Sequence, residues 1–372
     1  MNEDKKENAS LALLGELDAL RIPEHAFANP ETNAAHCCGH HAQMAGVFGA
    51  ALALTVPEIA EKLDGQVVFF ATPAEEYGEI EFKNQLREQG KIRYGGGKCE
   101  LLRIGAFDDI DLCLTHHIRP GNEILVGSGT GNGFVSKVIR VLGKASHAAG
   151  APEKGVNALS AASLGLQALG LNRETFRDED CVRVHPIITK GGNLVNVIPD
   201  EVVVETLVRG KTIEAFTDAA KKTDRSFKAG AIAMGAKVEI STLPGYLPTL
   251  AEEALPELKH AAEISASGIP VIEASGHAGG STDVGDVQHL MPVYTFNTGG
   301  VKGGLHQIDF EVTDEEEAYI VTAKMFALAA YGLLKEKAQR SRELVDQYEP
   351  VFKNSAEYVE FMEQFDSKEI FE

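Results

Sequence analysis

Cys38-Gly39-His40, the adjacent pair Glu75-Glu76, His117 and His306 supply thiolate, imidazole and carboxylate donors. These are the groups that hold a borderline-soft divalent ion, and one carboxylate remains to act as a base. The set predicts a metal-dependent hydrolase. Neighbouring glutamates suit that chemistry because residues i and i+1 leave a strand end in different directions: one binds metal while the other takes a proton from water. An isolated Glu-Glu pair is usually a solvated loop, but here Pro73 and an apolar run precede it. A lone cysteine is usually a small buried hydrophobe, yet His36-Cys37-Cys38-Gly39-His40-His41 packs five potential donors around one glycine. In an extended segment Cys38 and His40 share one side, which leaves Cys37 and His41 to packing or supporting roles.

Several elements must position these groups. Residues 65–71, Gly-Gln-Val-Val-Phe-Phe-Ala, predict a strand buried on both faces that runs into Thr72-Pro73-Ala74-Glu75-Glu76. Residues 110–117 predict a shorter strand ending in His116-His117. Ligands of open α/β sheets bind outside the carboxyl ends of the strands, so both segments are expected to feed one crevice. A helix-like apolar segment, 42–56, follows the Cys-His cluster. Thr313-Asp314-Glu315-Glu316 is a capping-box-like start, and Ile320, Val321, Met325, Phe326, Leu328 and Leu333 recur with helical spacing, predicting a long core helix. Beyond Lys335 the chain turns charged, with Tyr348, Phe352, Tyr358, Phe361 and Phe365 interleaved, predicting an amphipathic helical extension over 337–372.

The middle of the chain reads as a module of its own. Strands at 134–142, 181–189, 201–209 and 237–243, with helices at 157–171 and 212–234, give the order βαββαβ. The expected domains are therefore a base made of 1–130 and 245–336 and an inserted module over 131–244.

A chain of 372 residues is long for one core and suits two domains. Its net charge of −20, with no Lys/Arg cluster, argues against nucleic acid. Residues 1–10 are polar with no apolar core behind them, and the longest uncharged stretch, 42–57, is shorter than the roughly 20 residues needed to cross a bilayer. Five cysteines, an odd number, do not resemble a disulfide framework. The expected setting is the cytoplasm, away from any membrane.

In order along the chain, Leu17-Asp18-Ala19-Leu20, His36-Cys37-Cys38-Gly39-His40, Pro73-Ala74-Glu75-Glu76, Gly105-Ala106-Phe107-Asp108-Asp109-Ile110-Asp111, Lys144-Ala145-Ser146-His147-Ala148-Ala149, Asn196-Val197-Ile198-Pro199-Asp200, Ser281-Thr282-Asp283-Val284-Gly285-Asp286 and Gly304-Leu305-His306 resemble the motifs of the M20 peptidases. The similarity is to the amidohydrolase branch that holds aminoacylases, auxin-conjugate hydrolases, hippurate hydrolases and aminobenzoyl-glutamate hydrolases. It implies an α/β fold: a mixed-sheet metallohydrolase catalytic domain with an inserted ferredoxin-like βαββαβ lid that forms a homodimer interface. It implies that Cys38, His40, Glu76, His117 and His306 bind two divalent ions, zinc or manganese with cobalt as a further option, and that Glu75 is the general base. The family's ligand follows a strand and precedes a short apolar residue, which selects His117 over His116; His116 becomes a supporting group or substrate neighbour.

An exposed loop histidine is more often inert than catalytic, but the resemblance implies that His147 reaches the partner subunit's active site and stabilises a developing oxyanion. Asn196 and Arg209 match residues that contact the substrate carboxylate in relatives. Arg209 suits that role chemically, with a surface ion pair as the alternative on the residues alone. The implied reaction is hydrolysis of an amide bond in an N-acyl amino acid, an aminobenzoyl-glutamate-like conjugate or a dipeptide. The alternative is a non-catalytic or partner-dependent metal-binding subunit, against which the intact Glu75 speaks. Relatives carry a helix and strands ahead of the segment matching residues 11–20, so the sheet is expected to lack an edge strand and a covering helix. Many also carry Ala, and Asp or Asn, where this chain has Cys37 and His41.

Overall fold

The first apolar run, Ala9–Glu16, forms strand β1, and all of its residues are buried, as a central parallel strand requires. The computed structural model describes residues 9–372; the polar stretch 1–10, expected not to be a secretory signal, lies mostly outside the described residues. After β1 come α1 (His40–Leu54), β2 (Gly65–Thr72), α2 (Ile80–Glu88), α3 (Gly97–Arg103), β3 (Leu112–Ile118) and β4 (Ile124–Val126). The chain then leaves for the lid: β5 (Gly133–Leu142), α4 (Ala158–Leu171), β6 (Arg183–Lys190), β7 (Glu201–Gly210), α5 (Ile213–Met234) and β8 (Lys237–Tyr246). It returns through α6 (Pro256–Ser265), β9 (Val271–Glu273), α7 (Val284–Gln288), β10 (Val293–Thr298), α8 (Thr322–Gln347), α9 (Ser355–Glu363) and β11 (Ser367–Phe371).

The base carries a six-stranded mixed sheet in the order β9-β4-β10-β3-β1-β2. β1 runs parallel to β2 and β3, β3 parallel to β10, and β4 antiparallel to β10. The lid sheet, β11-β8-β5-β7-β6, is antiparallel throughout. Its first six elements follow the expected βαββαβ order.

Period-two alternation in the strands divides the base core into two faces. Leu11, Leu13, Leu112, Leu114 and Phe296 pack against Met325, Phe326 and Leu333 of α8, with α1 and α6 completing that layer. On the other face Ala12, Leu14, Cys113 and Val293 meet Tyr94, Phe107, Tyr246 and Tyr358. The stretch Glu316–Gln347 is long and apolar enough by length and hydropathy to cross a membrane, and half of its most apolar window is buried in this fold. Here it serves as the central helix of the base.

Two expectations need correction. Strand β2 is not buried on both faces: it is the sheet edge, with β1 as its one neighbour among the described residues, and Phe69 is 38% exposed. An apolar run does not distinguish a central strand from an edge strand. The segment 337–372 is not helical to its end. α8 continues to Gln347 through non-helical backbone at Lys335–Ala338, α9 follows, and β11 then pairs antiparallel with β8 from Val238↔Phe371 to Thr242↔Ser367. Ser367-Lys368-Glu369-Ile370-Phe371 is too short and charged to announce a strand by alternation; the free edge of β8 supplies the partner.

Phe326 is fully buried, its ring 4.8 Å from that of Phe296. Phe326→Ala is expected to destabilise the fold by about 3–5 kcal/mol, read as a shifted midpoint in chemical unfolding.

Candidate metal centre

Strands β1, β2 and β3 end on the same side of the base sheet, and the segments beyond those ends open into one crevice of about 720 Å³. Glu16 closes β1, Glu75-Glu76 come after β2, and His117 lies near the end of β3. Cys38 and His40 converge there by a turn and not, as expected, along an extended segment. Gly39 sits at φ 88° as the N-cap of α1, a left-handed conformation that glycine adopts without strain. A Cβ at Gly39 would also lie 2.0 Å from Ile118 Cγ2. The His306 loop is tied to this turn because the His306 N–H donates to the Cys37 carbonyl at 2.8 Å.

The donor atoms lie close together. Cys38 Sγ is 3.4 Å from His117 Nε2 and 3.2 Å from His306 Nε2. Glu76 Oε1 is 3.3 Å from His306 Nε2 and 3.9 Å from His40 Nε2. One atom from each of Cys38, His40 and His117 lies within 4.8 Å of the others, and the same holds for Cys38-Glu76-His306 and for His40-Glu75-Glu76. His40 Nδ1–H donates to the Asp18 carbonyl at 3.0 Å and His117 Nδ1–H to the Ile118 carbonyl at 2.8 Å. Both rings therefore turn an Nε2 lone pair inward. His40 Nε2 and Glu76 Oε1 are buried without a hydrogen-bond partner, so the residues fit a pair of divalent ions.

Electrostatics follow from crowding. Burial, then the charges of Glu76 and Glu75, push the Cys38 thiol far above its usual range; a coordinated cation reverses that balance. Burial disfavours the charged form of His40, yet the Asp18 hydrogen bond and the charges of Glu16 and Glu75 outweigh it and raise the ring to about 9. Burial lowers His117. Asp18 is brought down to about 2 against the effect of burial, by hydrogen bonds from His40 and the Glu76 amide. Burial first, then the charges of Glu16 and Asp283, hold Glu75 well above the ordinary carboxylate range.

The remaining candidates fall in different places. Arg209 projects from the lid into the crevice, where its Nη1 donates to Ser281 Oγ at 2.9 Å and its guanidinium lies 5.4 Å from the Phe134 ring. His116 borders the same crevice with its ring turned the other way. Alternation along β3 sends its side chain to the opposite face from Thr115 and His117, between Phe296 and Phe326, with Nε2 2.8 Å from Thr298 Oγ1. Cys37 is buried in packing, and the His41 ring lies tilted beside His36 and edge-on to Tyr319. His147 and Asn196 are exposed on the lid and do not line this chain's crevice.

Four charged groups beneath the donors went unread as site residues: Glu16, Asp18, Lys98 and Asp283. Lys98 is fully buried, with Nζ 2.5 Å from Glu16 Oε1 and 2.6 Å from Asp283 Oδ1. The available signal was Gly95-Gly96-Gly97 directly ahead of it, a run that lets backbone approach closely.

The family described as Peptidase family M20/M25/M40 matches residues 12–331. The chain is 28% identical over 311 residues to the Xaa-Arg dipeptidase of Mus musculus, covering 82% of this chain and 64% of the relative, so it spans less than two thirds of that protein. It is 30% identical over 239 residues to one chain of the p-aminobenzoyl-glutamate hydrolase of Escherichia coli (strain K12), covering 62% of this chain and 44% of that relative. The fold is similar to that of a dinuclear metal-binding M20-family peptidase from Bacillus subtilis, with TM-score 0.59, 23% identity and coverage of 89% of this chain and 83% of the other.

Removing a donor is expected to cost more than removing a donor's hydrogen-bond partner. Cys38→Ala and His306→Ala should each weaken metal binding by more than about 10- to 100-fold, measured by elemental analysis after dialysis and by chelator competition. His116→Asn should leave metal content unchanged.

Proposed function

The chain belongs to peptidase family M20/M25/M40, and on that premise we propose that it hydrolyses an amide bond in N-acyl amino acids, aminobenzoyl-glutamate-like conjugates or dipeptides. The observation that carries this reading is the place of Glu75, whose carboxylate stands within 4.8 Å of the inward-facing donors of His40 and Glu76. The dipeptidase and aminobenzoyl-glutamate hydrolase names of its relatives support that substrate range.

Cys38, His40, Glu76, His117 and His306 would hold a pair of divalent ions, which would supply Lewis acidity and make a bound water easier to deprotonate. The thiolate favours zinc, with manganese and cobalt as alternatives. Glu75 takes a proton from the attacking water as the carbon–oxygen bond forms. It returns that proton to the amide nitrogen as the carbon–nitrogen bond breaks, so the base is regenerated. Arg209 offers a planar donor fork to a substrate carboxylate.

His147 Nδ1 accepts from the N–H groups of Ala149 and Gly150 at 3.2 and 3.0 Å. Its Nε2 therefore carries the proton and is free to donate to an oxyanion. Because it lies outside its own crevice, the proposed enzyme is a homodimer in which each lid, with Asn196 nearby, completes the partner's site. The exposed apolar edge of the lid supports this: β6 is an edge strand, and Ile187, Leu194 and Val195 are exposed. All five cysteines are free thiols, which supports the cytoplasm as the setting.

Zinc- or manganese-loaded protein is expected to cleave at least one member of a panel of N-acyl amino acids, aminobenzoyl-glutamate and dipeptides. Glu75→Ala should keep near-normal metal content and lose about 10²- to 10⁴-fold in kcat. Metal-loaded protein that cleaves no panel member, even with a partner chain added, would instead identify a non-catalytic subunit. Mixing Glu75→Ala with His147→Ala protein should restore turnover that neither has alone; no recovery rules out the shared site.

A further inference from the structure

Lysine is almost never fully buried unless it is paired, and Lys98 is fully buried below the crevice. Its ammonium lies 2.5 Å from Glu16 Oε1 and 2.6 Å from Asp283 Oδ1, and its own backbone N–H donates to Asp283 Oδ2 at 2.8 Å. Asp283 is thus gripped by two donors of one residue. The other oxygen of Glu16, Oε2, lies 3.3 Å from His40 Nε2, the nitrogen that faces the metal space. Lys98 therefore fixes from below a carboxylate that stands beside a candidate ligand without bonding to it.

The backbone delivers Lys98 to this place with little freedom. A Cβ at Gly97 would fall 1.5 Å from the Pro73 carbonyl oxygen, and one at Gly96 would fall 2.2 Å from the Tyr246 ring. The Gly97 N–H donates to the Ala74 carbonyl at 3.1 Å. The start of α3 is consequently fixed against the turn that carries Glu75 and Glu76. Three carboxylates, of Glu16, Glu75 and Asp283, present oxygens within 4.8 Å of one another, and the ammonium is the cation bonded to two of them.

We propose that Lys98 is a positioning residue for the metal centre: by clamping Glu16 and Asp283 it fixes the acidic floor beside His40, keeps the cation position among the three carboxylates filled, and leaves Glu75 to face the crevice. Lys98 contacts neither substrate nor the proposed ions. It acts through Glu16 and Asp283 alone. The inference rests on the hydrolase reading for its kinetic arm and on metal binding for its other arm.

The test compares wild type, Lys98→Met and the neutral triple variant Glu16→Gln/Lys98→Met/Asp283→Asn, which keeps the volume of the cluster without its charges. Thermal unfolding reports folding, and cobalt(II) reports the ligand field by absorption and affinity by chelator competition. Lys98→Met is expected to bind cobalt about 10- to 100-fold more weakly with an altered absorption band, and to lose a similar factor in kcat while KM stays within about threefold. The triple variant should unfold near the wild-type temperature yet keep the cobalt and kcat defects. A folded triple variant with a wild-type cobalt spectrum and affinity would make the cluster scaffold only and overturn the inference. Wild type that binds cobalt but cleaves nothing sinks the hydrolase reading, and the cobalt comparison then still decides the role of Lys98.

Discussion

Repulsion among carboxylates is the constraint around which this molecule is built. Glu16, Glu75 and Asp283 bring oxygens within 4.8 Å of one another at the strand ends, and Asp18 and Glu76 flank the same space. Two like charges at that separation repel by roughly 3 to 4 kcal/mol at an effective dielectric of about 20. Such a cluster persists only if cations are supplied. Lys98 supplies one from below, and the inward-facing donors leave room for divalent ions above.

The tightest backbone approaches in the base serve that charge balance. Gly39 lets α1 start directly under the thiol, and Gly97 lets α3 enter against the Pro73-Ala74 turn. Each brings one sign of charge or one donor next to another that a larger residue would hold away. The lid meets this assembly from the other side through Arg209 and Ser281. The C-terminal segment adds a further tie: Asp366 accepts from Arg87 of the base at 2.7 Å, and β11 then joins the lid sheet. Lid and base are therefore linked by the tail as well as by the two chain crossings of the insertion.

Much of this was legible in one dimension. Donor residues separated by up to 268 positions, Cys38 and His306, were picked out by type and context, and the structure brings them to 3.2 Å. The βαββαβ order of the lid followed from alternation and helical spacing in segments long enough to show a period. In the His116-His117 doublet, period two sends neighbours in a strand to opposite faces, so one ring at most could turn toward the other donors. Lys98 was passed over because a lysine on a short helix defaults to solvent, and nothing local marks the two carboxylates, 82 and 185 positions away, that pull it inside.

The amino-acid sequence by itself determined what is local and periodic: which segments are strands and helices, which side chains can ligate or accept a proton, and which family these motifs join. Tertiary structure alone decided what depends on contacts between distant segments. It set β2 at an edge, turned the last residues into a strand by offering them the open side of β8, and folded Cys38 and His40 together through a left-handed glycine. It also assembled the buried ion cluster. The reason is that propensity and pattern act over a few residues, whereas burial, pairing and charge neutralisation depend on whatever the fold places alongside.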